Sequence, residues 1–339
     1  MVRVFMKVIY NFSMKVILAI LLSVFILNTI TFIYKYTGVH ITNHDHSTDY
    51  TWESNQYQMN MKEGFAWIKM DSDGFNNSYP NKKDIPDYLL MGSSHMEAVQ
   101  MGSEENAGYI LNLLLPDEYF YNIGISGHTI YRCVNNLNYA NKQFRPSKGI
   151  IIEISQTDLD DKMLSSVIDG KLKPIKSYDS GLIYFVQKYA QSIKLLFNQI
   201  ADWRKMDSKV FVSNKRSNSH AVIHDKQYSE KLNDFLALAK SSVQTDKKLL
   251  FVYKPTTKID ENGKYISTKK DPSTELFKKA CLRNGIDFID LSDAFENLYN
   301  SKHILAHGFI NSAVGVGHLN KYGHRVFAEE VAKVIGGNN

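Results

Sequence analysis

The sequence predicts a three-layer α/β/α domain built on a parallel sheet and preceded by a membrane-spanning helix. Short apolar runs alternate with segments of helical length, as in strand-helix-strand units. The runs are continuously apolar, which suits parallel strands covered on both faces. Near the N-terminus, the stretch from Val16 to Tyr34 carries no charge and is long enough to cross a hydrocarbon core as a helix.

Taken in order, residues 1–15 contain Arg3, Lys7 and Lys15, so the positive-inside bias places them in the cytoplasm and everything after the helix outside. Residues 16–34 are read as an uncleaved anchor in the cell membrane, because no small-residue cleavage site follows the apolar run. Residues 35–83 are polar, rich in Asn, Asp and His and without periodicity, and are expected to form a linker and an irregular entry segment. His40, His44 and His46 lie there at a spacing that fits no ligand pattern, so neither a metal nor a cofactor is expected.

The domain itself spans 84–339. Strands are expected at 88–92, 119–125, 149–155, 248–255 and 286–292, and helices at 104–115, 130–142, 275–284 and 321–335. Residues 160–246 break this rhythm. Ile183, Val186, Ala190, Ile193, Phe197 and Ile200 recur there at helical spacing, which predicts an inserted helical subdomain, serving either packing or as a lid over the site.

With 339 residues and 44% hydrophobic content, the chain has ample material for a core. Its formal charge of +5 is small and no dense Lys/Arg block is present to track a phosphate backbone, which argues against nucleic acid as a partner. Cys133 and Cys281 are too few for a disulfide framework; they are either a pair or small buried hydrophobes.

The stretch DYLLMGSSHMEAVQM, residues 87–101, holds the candidate chemistry. Ligands of an open parallel sheet bind beyond the carboxyl ends of its strands, so the turn after the first strand is a privileged place. Gly92 permits a sharp turn, and Ser93 and Ser94 stand where the next helix starts. Free N–H groups and the positive dipole end of that helix suit a developing oxyanion. Both serines equally suit a plain helix cap. A nucleophilic serine needs a base, and histidine is the usual one. Far along the chain, GVGHLNKYGH places His318 before a turn, Asn320 as an N-cap and His324 on the closing helix, and one sheet would bring the two turns together. His95 follows Ser94 directly, begins the helix and points elsewhere, as a supporting residue or a substrate contact rather than the base.

These residues resemble the SGNH hydrolases, also called GDSL-type esterases, in the flavodoxin-like branch that includes membrane-anchored acyltransferases of cell-surface polymers. Gly92-Ser93-Ser94 is similar to the first family block, with Ser93 where the family has Asp; NIGISGHT is similar to the second, SQTD to the third and GHLNKYGH to the last. The resemblance implies Ser94 as nucleophile, His318 as base, and the N–H groups of Ser94 and Gly127 as oxyanion donors, with the Thr157 hydroxyl in place of the usual asparagine. The family's acid three residues before the histidine is Gly315 here, so the orienting role falls to Asp158 or to a backbone carbonyl. The implied function is an extracytoplasmic, serine-dependent ester hydrolase or O-acyltransferase. Acetyl is the expected group, an exported or cell-surface polysaccharide the expected substrate, and a membrane acyl-donor protein a further partner. The alternative is a non-catalytic membrane-tethered scaffold of the same fold in a polysaccharide modification or export complex, to which the missing acid at 315 and asparagine at 157 point.

Overall fold

A long N-terminal helix, α1 (Val2–Ile33), carries the stretch Tyr10–Thr31, long and apolar enough to cross a membrane. The computed structural model describes residues 2–33, 40–42, 50–60, 63–79, 82–173, 185, 189, 190, 192, 226–260, 262–267, 272–312 and 315–337. Helix α1 forms one compact unit with the segment Tyr178–Ala221. Within it the Asn28 amide donates to the Tyr189 carbonyl at 2.7 Å and accepts from the Ser192 hydroxyl at 3.1 Å, which satisfies a polar group set in an apolar helix. Of the positions expected to form the amphipathic insertion helix, only Ala190 is described; His44 and His46 also lie outside the described residues.

The second unit comprises His40–Ser177 and Val222–Asn339. Its entry segment is more regular than the sequence predicts. Strand β1 (His40–Thr42) pairs antiparallel with β2 (Tyr50–Trp52), and β3 (Tyr57–Asn60) with β4 (Ala66–Lys69). These strands are 3 or 4 residues long, too short for period-two alternation to stand out from polar surroundings.

The main sheet is five-stranded and wholly parallel. It contains β5 (Tyr88–Met91), β6 (Phe120–Asn122), β7 (Gly149–Ile154), β8 (Lys248–Tyr253) and β11 (Asp287–Asp290), in the order β11-β8-β7-β5-β6. A small antiparallel pair, β9 (Thr257–Ile259) and β10 (Tyr265–Ser267), stands apart. Counting only the main strands, this is the 2-1-3-4-5 order of flavodoxin-like folds, whose switch point lies between the first and third strands, here β5 and β7. All five expected strands are present, each shorter than expected.

Alternation along the strands divides the core into two layers. Leu89, Ile150, Ile152, Ile154 and Phe251 face helices α4 (Ile130–Asn135), α5 (Leu137–Phe144), α6 (Asp161–Ile168), α7 (Lys226–Ser241) and α8 (Pro272–Arg283). Leu90, Ile151, Leu250 and Val252 face α3 (Ala107–Leu114), α9 (Ser292–Lys302) and α10 (Lys321–Ile335). The helix α2 (Ser94–Glu97) closes the turn after β5. Two differences from expectation have local causes. The expected helix 130–142 is divided at Asn136 into α4 and α5. Within the expected insertion 160–246, the described helices α6 and α7 bury Leu164, Leu232, Phe235 and Leu236 in the first layer, as part of the crossover from β7 to β8. Cys133 and Cys281 are both buried in that layer and are not joined in a disulfide.

Candidate active site

Gly92 ends β5 beneath α2. A Cβ there would lie 2.6 Å from Met96 Cγ and 2.8 Å from Glu153 Oε2, so only glycine lets the strand turn so tightly. Ser93 is the N-cap of α2, its hydroxyl accepting from the His95 N–H at 3.3 Å. Its N–H and hydroxyl also donate to Glu153 Oε2, at 3.0 and 2.9 Å. Glu153 sits buried on the neighbouring strand β7, so the switch point between β5 and β7 is tied together directly beside Ser94.

Ser94 Oγ faces His318 Nε2 at 2.8 Å, across 224 residues of sequence. On the other side of the imidazole, Nδ1 lies 2.6 Å from Glu63 Oε2, while the His318 backbone N–H donates to Glu63 Oε1, also at 2.6 Å. The carboxylate at Nδ1 fixes the tautomer that leaves Nε2 open to take the serine proton, and steadies the charge that results. Burial opposes the charge on Glu63, but its hydrogen bonds to the side chain and backbone of His318, with the attraction of that ring, outweigh it and hold the carboxyl below its usual range. Glu63 reaches this place because Gly317 has no side chain: a Cβ there would stand 2.0 Å from Glu63 Oε1. The adjacent Gly64 is gripped at both its N–H and its carbonyl by the Asn311 side chain, at 2.8 and 2.9 Å.

The acid beside His318 is therefore Glu63, not Asp158. Asp158 and Thr157 follow β7 onto the opposite face of the sheet. Asp158 stands near Tyr131 and Tyr228 of the first layer, and the buried Thr157 hydroxyl bonds to those of Ser273 and Thr274 at 3.1 and 2.8 Å. The His318 turn packs on the second layer through Leu319. The Thr157 hydroxyl is thus engaged at the start of α8, away from the role of oxyanion donor expected for it.

Gly127 lies in an exposed turn with φ +81, two residues after Ile125, whose N–H donates to the Gly92 carbonyl at 3.1 Å. Among the described residues, neither the Ser94 nor the Gly127 N–H has an acceptor. The Gly127 turn is braced from below. Asn122 donates to the Met96 carbonyl at 2.6 Å and accepts from the Gly124 N–H at 3.0 Å. The buried Glu97 bonds to the Ser126 hydroxyl and accepts from Trp52 Nε1 at 2.7 Å. Burial raises the Glu97 pKa, against the lowering effect of those two bonds.

Three further histidines lie under the site. His95 Nδ1 accepts from the Leu319 N–H at 3.0 Å, its ring 5.0 Å from that of His318, which makes it a support for the His318 turn. His324 is fully buried and its Nδ1 accepts from the Ala107 N–H at 3.1 Å. His307 Nδ1 lies 3.1 Å from the Thr257 hydroxyl. Burial above all, and then the neighbouring positive charges, hold all three below the ordinary imidazole pKa, His307 and His324 at about 3 each. The same burial lowers the ammonium pKa of Lys254, which caps this face of β8.

Glu63, Glu97 and Glu153 had no signature in the sequence: each is a lone acid whose partner is distant or on another element. Among the described residues no cluster of three or more His, Cys, Asp or Glu suits a metal ion. No protein-family model matches the sequence, and no curated protein does. Among solved structures, an acetyl xylan esterase is 15% identical and covers 73% of this chain and 99% of its own, with a TM-score of 0.39. A lipolytic G-D-S-L family member from Veillonella parvula is 13% identical over 74% of this chain and 97% of its own, with a TM-score of 0.38. A mutant acetyl-xylooligosaccharide esterase from a Geobacillus is 14% identical over 75% and 95%, with a TM-score of 0.37.

Proposed function

We propose that the domain is a serine-dependent acyl ester hydrolase or O-acyltransferase, with Ser94 as nucleophile, His318 as general base and Glu63 as the residue that orients it. The carrying observation is the continuous line from Glu63 through both ring nitrogens of His318 to Ser94 Oγ. In the first half-reaction Ser94 Oγ attacks the acyl carbonyl while Nε2 takes its proton. The oxyanion forms against the Ser94 and Gly127 N–H groups, and the C–O bond to the departing alcohol breaks as His318 returns the proton to it. In the second, water or a sugar hydroxyl attacks the acyl-serine by the same steps reversed, which distinguishes hydrolysis from transfer. An acetyl group on an exported or cell-surface polysaccharide suits a domain held outside the cell membrane by α1. A membrane acyl-donor protein would supply the group if the reaction is transfer.

Against the scaffold reading stands the Glu63 carboxylate, which lies 2.6 Å from His318 Nδ1, where the acid missing at Gly315 would act. The deciding experiment is labelling of the full-length protein by a fluorophosphonate probe. Labelling that vanishes in Ser94→Ala is the expected result, with ester cleavage lost in parallel. A wild-type protein that folds and takes up no probe would sink the enzymatic reading.

A further inference from the structure

The outward face of the β3–β4 hairpin is unusual for a protein surface. Residues alternate, Ala66 and Ile68 packing inward against Met70 and Val99, while Trp67 and Tyr57 point out, 54% and 40% exposed. Their rings lie 5.3 Å apart between centroids, inclined at 38°. The Lys69 ammonium stands 5.9 Å from the Tyr57 centroid, and the pair presents a flat, partly apolar aromatic surface of the kind that stacks on a ligand. Beside it runs a groove of about 680 Å³, walled by Trp67 and Lys69 on the hairpin and by Ser103, Glu104 and Glu105 opposite.

The chemistry of that lining selects its occupant. Flat rings with hydroxyl, amide and carboxylate groups alongside match a molecule whose faces are apolar C–H and whose edges are hydroxyls, which is a sugar ring. The groove is lined by three carboxylates, Asp71, Glu104 and Glu105, the last with the Lys321 ammonium 3.8 Å away, and by the ammonium of Lys69, a balance that disfavours a polyanion. Both walls lead to the catalytic residues. Trp67 follows Glu63 by four residues, a path of at most about 14 Å. The opposite wall continues the chain that leaves Ser94 through α2, and Gly64 packs so closely on the Gln100 carbonyl that a Cβ would approach it to 2.2 Å.

We propose that the Tyr57–Trp67 face and the adjoining groove form a subsite for a neutral glycan chain, which holds the polymer while one of its esters reaches Ser94. This rests on the polysaccharide reading above and gives it a location.

The test uses the full-length protein in detergent, with O-acetylated xylan as the neutral polymer and p-nitrophenyl acetate as the small ester. Binding is measured as retardation of Ser94→Ala protein in gels containing the polymer, turnover as acetate release by the wild type. Trp67→Ala is expected to weaken polymer binding about tenfold and to raise the polymer KM similarly, while p-nitrophenyl acetate cleavage is unchanged. Tyr57→Leu, which keeps the hairpin's apolar bulk, should weaken polymer binding in the same direction. Should the polymer bind as tightly to Trp67→Ala as to the parent, the subsite is wrong and the polysaccharide reading stands. A parent protein that cleaves the small ester and binds no neutral glycan overturns both. Equal losses on polymer and small ester in both variants would make the pair structural and overturn the subsite.

Discussion

Glu63 separates a positioned base from a bystanding histidine. Its two oxygens hold one ring nitrogen and the backbone N–H of the same residue, so the ring is fixed in both tautomer and direction. Glu63→Gln preserves size but offers an amide that can donate to Nδ1, favouring the wrong tautomer. Turnover should fall by about 10²–10⁴-fold, with probe labelling of Ser94 slowed and the fold intact by circular dichroism. Asp158→Asn should leave turnover near normal, and a large loss there with Glu63→Gln active would reverse the assignment. Sequence reading reached Ser94 and His318 because each sits in a turn whose flanking residues have a recognisable order. It missed Glu63 because an acid can approach Nδ1 from any segment passing the turn, and nothing in MKEGFAW announces that approach. It misplaced Thr157 because strand alternation and the turn after β7 decide which face a residue joins, and a shift of one position reverses it.

At the scale of elements, the parallel strands and their covering helices were legible because each is a continuous apolar run or a periodic face. The entry segment was not, since its strands are short and their energy comes from packing on the domain rather than from pattern. Yet residues 50–79 supply Trp52 to Glu97, Asn76 to the carbonyls of Glu97 and Ala98, and Glu63 to His318. A chain beginning at residue 84 keeps every motif of the α/β domain and loses all of these. It should bind the fluorophosphonate probe at least about 10²-fold more slowly than the full chain. A separately added peptide covering 50–80 would be expected to restore part of the rate. Normal reactivity of the shortened chain would show that the entry segment is dispensable for the site.

The whole molecule has a stability that depends on keeping its buried histidines neutral. His307 and His324 titrate at about 3 when folded, and their ordinary imidazole value in an unfolded chain is about 6.5. Each folded pKa is depressed, so the unfolded state takes up protons first as pH falls. Stability is therefore full above about 6.5 and declines as pH drops through the interval toward 3. Carboxylates such as Glu63 and Asp87, also depressed, contribute only at the acid end of that range. The melting temperature should fall measurably between pH 7 and pH 5. His324→Asn, whose amide oxygen can still accept the Ala107 N–H, should flatten part of that decline, and an unchanged slope would remove His324 from the account. The separation of the proposed catalytic residues has a consequence in time. Ser94 meets its base only across 224 residues, and Glu63 meets the same histidine across 255. At synthesis rates of about 5–20 residues per second, the serine exists for about ten to forty-five seconds before the histidine has been made. Throughout that interval it is an ordinary hydroxyl. On the proposed mechanism, reactivity therefore arrives late, when the first and last parts of the domain close on each other, and a chain still lacking its C-terminal turn carries no base for Ser94.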